Sequence, residues 1–281
     1  MKLISRGRIL NLTVPNVMGI LNVTPDSFYD GGKFQNLSNA IDHVAAMLEA
    51  GATIIDIGGE STRPGAQRVS DEEEAARVVP VVVAVAERFD TFISVDTSKA
   101  LVIREIAAAG AHLINDIRSL SEPGALSAAA GSKLPVCLMH MQGKPSTMQK
   151  APYYKNVLID VMTFLEQQIA RCEAAGITKD RLLFDPGFGF GKTLSHNYKL
   201  LAQLGKLHDL GLPMLVGMSR KLMIGELLDL PSEKRISGSL ACAIIAALQG
   251  AHIIRVHDVK KTSEAMRVVE ATLKAKETYF Q

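Results

Sequence analysis

The chain has almost no excess of charge. Its 31 Lys and Arg stand against 29 Asp and Glu, a formal charge of +2. That balance argues against a nucleic-acid surface or a membrane patch. No apolar run reaches the roughly 20 residues that span a bilayer. The opening "MKLISRGRILNLTVPN" has no long apolar stretch of signal-peptide type. A cytoplasmic protein with neither nucleic acid nor membrane as partner is expected. Cysteine is scarce. Cys137, Cys172 and Cys242 lie far apart, without a metal spacing or a disulfide framework, so reduced and mostly buried thiols are expected. No Ser/His/Asp or Cys/His constellation for nucleophilic catalysis stands out.

Two nucleotide-binding motifs are missing as well. The first strand-to-helix turn has no G-x-G-x-x-G. The stretch "LLFDPGFGFGKTLSHN" (182–197) imitates a P-loop in its Gly191-Lys192-Thr193. A P-loop needs its first Gly at position 186, and that residue is Pro186, which has no N–H to offer a phosphate.

What is present fits a large globular protein. The 281 residues are 47% hydrophobic and 21% charged, enough to bury a sizeable core. A phrase recurs: a helical pattern, a Gly, then a short apolar run. It reads "MLEAGATIIDIGG", "IAAAGAHLINDI", "CEAAGITKDRLLFDPG", "LHDLGLPMLVGMS" and "ALQGAHIIRVHD". Gly just past a helix is the favoured left-handed stop. Non-alternating, β-branched runs read as strands buried on both faces of a parallel sheet.

Eight such runs occur, at 17–21, 53–57, 91–95, 111–114, 134–139, 182–184, 213–216 and 251–256. Helical patterns fill the gaps. Leu37, Ile41, Val44 and Leu48 share one face. Ser70 and Glu73 form a capping box, and Pro80 should kink the helix that follows. Eight strand–helix units predict a single α/β domain over 1–281, a (β/α)₈ TIM barrel. A short β-hairpin at 1–15 would cap its bottom.

In such a barrel the active site lies at the C-terminal ends of the strands. Every predicted strand ends near a residue able to do chemistry: Asn22; Asp56 with Glu60 to Arg63; Asp96; Asn115 and Asp116; His140; Asp185; Ser219 to Lys221; Arg255 and His257. Singly, each could be a helix cap or a core residue. All eight together point to one shared site. Asp96, Asn115 and Asp185 supply acceptors for a flat heterocycle rich in N–H donors. Arg63, Lys221, Arg255 and His257 suit a di- or triphosphate. Asn22 could hold Mg²⁺, which keeps most of its waters and bridges phosphate oxygens. The chemistry expected is displacement of a phosphate leaving group, assisted by positioning and electrostatics.

The same residues lie in familiar stretches. "MGILNVTPDSFYDGG" (18–32) and "GATIIDIGGESTRPGA" (51–66) resemble the two signature stretches of the dihydropteroate synthase family. "SVDTSK", "INDIRSL", "LMHMQG", "FDPGFGFGK", "GMSRK" and "IRVHDV" follow in the family's order. The resemblance covers residues 1 to about 275 and is strongest to the enteric bacterial type. It implies a barrel, usually a homodimer. It implies condensation of 6-hydroxymethyl-7,8-dihydropterin diphosphate with p-aminobenzoate in folate biosynthesis, and a target of sulfonamides. Diphosphate would leave first, and the arylamine would attack the resulting cation.

By the same resemblance, Asp96, Asn115, Ile117, Met139, Asp185, Lys221 and Arg255 bind the pterin. Asn22 with Mg²⁺, Thr62, Arg63, Arg255 and His257 handle the diphosphate. Phe28, Thr62, Arg63, Pro64, Phe190, Gly191, Lys221 and Leu222 form the aminobenzoate pocket. Asp96, Asp185, Lys221 and Arg63 carry the catalysis. The long loops "NVTPDSFYDGGKF" and "GGESTRPGAQRVS" are expected to close over the substrates. One position departs: the family usually has Ser where this chain has Leu222. Tyr29, where Ser is common, is a smaller departure. A related barrel, the methyltetrahydrofolate-binding module of corrinoid methyl-transfer systems, is the alternative. It would need neither a diphosphate site nor an aminobenzoate pocket.

Overall fold

A computed structural model describes residues 1–24, 33–61, 68–143 and 147–278. The expected site residues Phe28, Thr62, Arg63 and Pro64, the departure at Tyr29 and most of the two expected closing loops lie outside these residues.

The chain opens with an antiparallel hairpin, β1 (Lys2–Ser5) and β2 (Arg8–Asn11). Eight parallel strands follow: β3 (Asn16–Asn22), β4 (Ile54–Gly58), β5 (Phe92–Asp96), β6 (Leu113–Asp116), β7 (Val136–Met139), β8 (Leu182–Asp185), β9 (Leu215–Val216) and β10 (Ile253–Val256). Each pairs with its sequence neighbour, and β10 pairs back with β3. A parallel bridge from Phe184 to Met214 closes the ring between β8 and β9. This is the (β/α)₈ barrel the sequence predicts.

The helices are α1 (Lys33–Glu49), α2 (Asp71–Arg88), α3 (Ala100–Ala109), α4 (Ala125–Ser132), α5 (Val157–Ala174), α6 (Leu194–Ala202), α7 (Leu222–Leu228), α8 (Ile236–Leu248) and α9 (Val259–Thr278). The five glycines of the recurring phrase, Gly51, Gly110, Gly176, Gly211 and Gly250, all have positive φ. Gly110 shows why. At φ 108° its N–H closes α3 on the Ile106 carbonyl, in a conformation that L side chains rarely adopt. Ser70 caps α2 by accepting from the Glu73 N–H at 3.1 Å. The return arm expected of a capping box is absent, because the Glu73 carboxylate pairs with Arg77 one turn on. The helix continues through Pro80 as one element.

Strand residues alternate between two cores. Val17, Leu21, Ile55, Ile57, Val95, Ile114, Leu138, Phe184, Val216 and Ile254 face outward and pack under the helices. Met18, Ile54, Phe92, Leu113, Cys137, Leu183, Leu215 and Ile253 face inward and form a plug with Leu3, Leu10 and Leu12 of the hairpin segment. The hairpin therefore closes the bottom of the barrel. With the bottom sealed by apolar side chains, polar groups on the barrel interior are confined to the other end.

Candidate active site

Inward positions two residues further along β4, β5, β6 and β10 change from apolar to polar. Asp56 follows Ile54, Ser94 follows Phe92, Asn115 follows Leu113 and Arg255 follows Ile253. A charged group on a barrel interior must find partners there. Asp56, fully buried, accepts from Ser94 Oγ at 2.6 Å, from Asn115 Nδ2 at 3.2 Å and from Arg255 Nε at 2.6 Å. The other arm of Arg255, Nη2, donates to Asp96 Oδ2 at 3.1 Å. The guanidinium thus bridges two carboxylates. Burial works against its charge, but Asp56 and Asp96 more than offset this and hold its pKa above the ordinary value.

Asp96 responds in the opposite direction. Burial pushes its carboxyl up to about 7, against the pull of Arg255 and with the help of the neighbouring Asp56 charge. Asp185 is also raised by burial, with Lys221, the Gly187 N–H, Lys192 and Arg255 opposing. Lys221 is lowered to about 8 by burial while Asp185 supports its charge. Its Nζ donates to the Phe188 carbonyl at 2.6 Å and lies 4.5 Å from the centre of the Phe190 ring. At the top of the barrel, then, Asp96 and Lys221 lie near the point of titration, Asp185 is raised and Arg255 keeps its charge. Ile117 and Met139 are buried next to these strand ends.

The rim is more open. Asn22, at the end of β3, is exposed, and its Oδ1 lies beside Gly58, with Asp96 on that residue's other side. His257 is exposed just past β10, and its Nδ1 is 3.0 Å from Ser219 Oγ. Leu222, the first residue of α7, is 57% exposed, so an apolar side chain faces solvent where the resemblance leads one to expect Ser.

Three expected strand-end groups turn away from this site. Asp116 is fully buried and accepts from Ser98 Oγ and from the Arg118 and Leu120 N–H groups. It fixes the turn after β6. Arg220 forms a two-armed pair with Asp258. His140 is a core histidine. It is buried edge-on against Phe164, and its pKa is driven far down, first by burial and then by the Lys192 charge. The end of β7 therefore offers Met139 to the site and not His140.

The P-loop imitation also resolves. The N–H groups of Gly187, Gly189 and Phe190 are bonded to Asp185, to Asn197 and to the Gly187 carbonyl. They have nothing left for a phosphate. Lys192 points inward, and Thr193 caps α6 by accepting from the His196 N–H at 3.2 Å. Gly187 is required where it stands. At φ +71° a Cβ would lie 1.8 Å from the His140 carbonyl oxygen.

Asp56 is the group that sequence reasoning undervalued. The signal was available, since an Asp inside the apolar run "TIIDIGG" must be paired if that run is a buried strand.

Comparison with known proteins follows this geometry. Residues 18–257 match the family of pterin binding enzymes. A dihydropteroate synthase from Escherichia coli (strain K12) is 68% identical over 277 residues, covering 99% of this chain and 98% of its own. A crystal structure of the Yersinia pestis dihydropteroate synthase in a sulfonamide drug complex superposes with a TM-score of 0.93 at 65% identity, covering 98% of this chain and all of that one. The Xanthomonas albilineans dihydropteroate synthase with 4-aminobenzoic acid gives a TM-score of 0.91 at 49% identity, over 97% of this chain and 98% of that one.

Proposed function

This chain belongs to the dihydropteroate synthase family of pterin-binding enzymes, and from that premise we infer how its site works. The reaction condenses 6-hydroxymethyl-7,8-dihydropterin diphosphate with p-aminobenzoate to 7,8-dihydropteroate and releases diphosphate, a step of folate biosynthesis. Full-length relatedness to synthases favours this over a methyltetrahydrofolate-binding module. The observation that carries the site reading is the Asp56–Arg255–Asp96 bridge, with Asn115 bonded to the same Asp56 and Asp185 within the influence of the Arg255 charge.

In this reading Asp96, Asn115 and Asp185 accept from the N–H edge of the pterin. Lys221 donates to the ring, Arg255 lies along its face, and Ile117 and Met139 line the slot. Asn22, Arg255 and His257, with Thr62 and Arg63, receive the diphosphate. The exocyclic carbon–oxygen bond breaks with its electron pair on diphosphate, leaving a cation spread over the pterin. The aminobenzoate nitrogen then forms the new bond and loses a proton. Asp96 and Asp185, ionised and buried, face the developing positive charge and lower its energy. The aminobenzoate pocket is assigned to Phe190, Gly191, Lys221 and Leu222, with Phe28, Thr62, Arg63 and Pro64. Lys221 over the Phe190 ring is consistent with that wall.

Among the described residues no group of three or more His, Cys, Asp or Glu could hold a metal. A Mg²⁺ that arrives with the diphosphate needs no such group, and the exposed amide oxygen of Asn22 fits a single protein ligand. When bound, the ion neutralises charge on the departing diphosphate. A homodimer is proposed from the exposed Leu227 and Leu228 of α7 and Ile245 and Leu248 of the neighbouring α8. The barrel over 1–281 is read as a single domain. A cytoplasmic setting accords with three buried, unbridged cysteines, and no helix among the described residues is long and apolar enough to cross a membrane. Sulfonamides are expected to compete at the aminobenzoate pocket.

The test is diphosphate release from the pterin diphosphate, with and without p-aminobenzoate. A coupled product that requires both substrates is expected. Absence of aminobenzoate-dependent product sinks the reading.

A further inference from the structure

We propose that Lys192 is a positioning residue for this reaction, holding the Gly187–Gly191 turn from inside the fold and, through it, setting Asp185 and Lys221 against the substrates. The inference rests on the condensation proposed above. Lys192 is 3% exposed. Its Nζ lies 2.9 Å from His140 Nδ1, 2.8 Å from the Gly187 carbonyl oxygen and 3.2 Å from the Phe190 carbonyl oxygen. An ammonium has three donors, and here are three acceptors. Burying a cation without a carboxylate in contact is costly, and packing alone would be served by an apolar side chain. The amine therefore has a task that packing does not explain.

The turn shows what the task is. Gly187 is held from both sides: its N–H donates to Asp185 Oδ1 at 2.7 Å and its carbonyl accepts from Lys192. The His140 N–H donates to the Asp185 backbone oxygen at 3.0 Å. Asp185, Gly187, Lys192 and His140 thus form one linked unit. At the far end Lys192 fixes the Phe190 carbonyl, and Lys221 lies over that ring and on the Phe188 carbonyl. Gln149 and Tyr154 hold the remaining carbonyls, of Gly189 at 2.5 Å and of Gly191 at 2.7 Å. All five carbonyls of the turn are bonded: Lys192 holds that of Phe190 and shares that of Gly187 with the Phe190 N–H. His140 in turn packs against Tyr154 and Phe164.

Burial lowers Lys192 itself to about 7 while Asp185 supports its charge; on the acid side of neutrality it is therefore charged, and there it also acts through that charge. The cations that face Asp185 are Lys221, Lys192 and Arg255, and each favours its ionised form against burial. Removing one of them lets the carboxyl protonate at higher pH.

The experiment compares Lys192→Met and Lys192→Gln, which remove the charge, with Tyr154→Phe, which removes one hydrogen bond to the same turn and no charge. Diphosphate release gives kcat and both KM values, and the pH dependence of kcat/KM for the pterin diphosphate gives the acid limb. Thermal unfolding checks the fold. The charge-removing variants are expected to unfold cooperatively, to lose roughly 10- to 100-fold in kcat/KM for the pterin diphosphate, and to shift the acid limb to higher pH. Tyr154→Phe should change kcat/KM by no more than about tenfold and leave the limb in place. A charge-removed variant with wild-type kcat/KM overturns the inference. So does a loss that Tyr154→Phe reproduces with the limb unmoved, or failure of both Lys192 variants to fold. If the wild type shows no aminobenzoate-dependent release, the reaction itself falls. If the wild type is active and Lys192→Met matches it, only the role of Lys192 falls.

Discussion

At the scale of single residues, the site depends on a carboxyl, that of Asp96, held close to its protonation point. Burial raises Asp96 to about 7 in the free protein, and an acceptor for pterin N–H groups must be ionised. The kcat/KM profile for the pterin diphosphate is therefore expected to fall on the acid side as Asp96 and Asp185 take up protons, with the Asp96 step near 7, because kcat/KM reports the free enzyme. Asp96→Asn should lower kcat by roughly 10²- to 10³-fold and move or abolish that limb. An unchanged profile in the Asp96→Asn variant would show that another group titrates. Leu222 offers a gentler test. A neutral hydrogen bond is worth about 0.5–1.5 kcal/mol, a factor of roughly 2 to 12 in affinity. Leu222→Ser is expected to lower the aminobenzoate KM within that range, alter sulfonamide inhibition and leave kcat for the condensation in place. Unchanged KM and unchanged inhibition would remove Leu222 from the pocket.

At the scale of elements, the barrel is fastened at its N-terminal end. His112 precedes β6 and accepts from the Ile93 N–H at 3.1 Å; His252 precedes β10 and accepts from the Met214 N–H at 3.0 Å. Each secures a backbone N–H of the preceding segment of the ring. Both must be neutral to accept, and burial, aided by nearby positive groups, lowers each to about 4. Their folded pKa values lie below the unfolded value near 6.5. Their contribution is therefore present above pH about 6.5 and is lost as the pH falls toward 4, up to roughly 3 kcal/mol per histidine. A His112→Asn, His252→Asn double variant keeps an acceptor in each place without the titration. It should lose less stability than the wild type between pH 7 and 4.5, measured by denaturant unfolding. Equal losses would rule the histidines out. The hairpin makes a second element-scale prediction. Leu3 is fully buried in the plug, so Leu3→Ala should cost about 2–5 kcal/mol and lower Tm by roughly 5–15 °C. Saturating kcat should persist at low temperature, because the plug lies at the end of the barrel opposite the site.

At the scale of the whole molecule, the ring of strands divides labour between its ends. Apolar inward residues and the hairpin fill one end, and the charged network fills the other. Stability and chemistry can therefore be altered separately. The exposed apolar residues of α7 and α8 are the proposed dimer face. Ile245→Glu is expected to shift sedimentation from dimer toward monomer, since an unpaired charge cannot be buried cheaply in such a face. A wild type that sediments as a monomer at micromolar concentration would refute the dimer.

The ring of eight strands, the hairpin and the mouth residues Asp96, Asn115, Asp185, Lys221 and Arg255 were legible in the sequence. Local rules determine them: Gly stops the helices, β-branched runs form buried strands, and a barrel puts its strand ends on one rim. Partner choice was not legible, because it depends on which side chains meet across strands far apart in sequence. Asp116, His140 and Arg220 stand at strand ends as plainly as Asp185 does, yet packing turns them into a turn clasp, a core ring and an outward ion pair. Asp56 and Lys192 went the other way. Nothing local says that an Asp inside a strand will meet Arg255, or that the Lys of a false P-loop will bury its amine on two carbonyls and a histidine. Sequence alone determined which groups reach the rim. Tertiary structure decided which remain there, because a buried charge settles wherever the closed barrel supplies its partners.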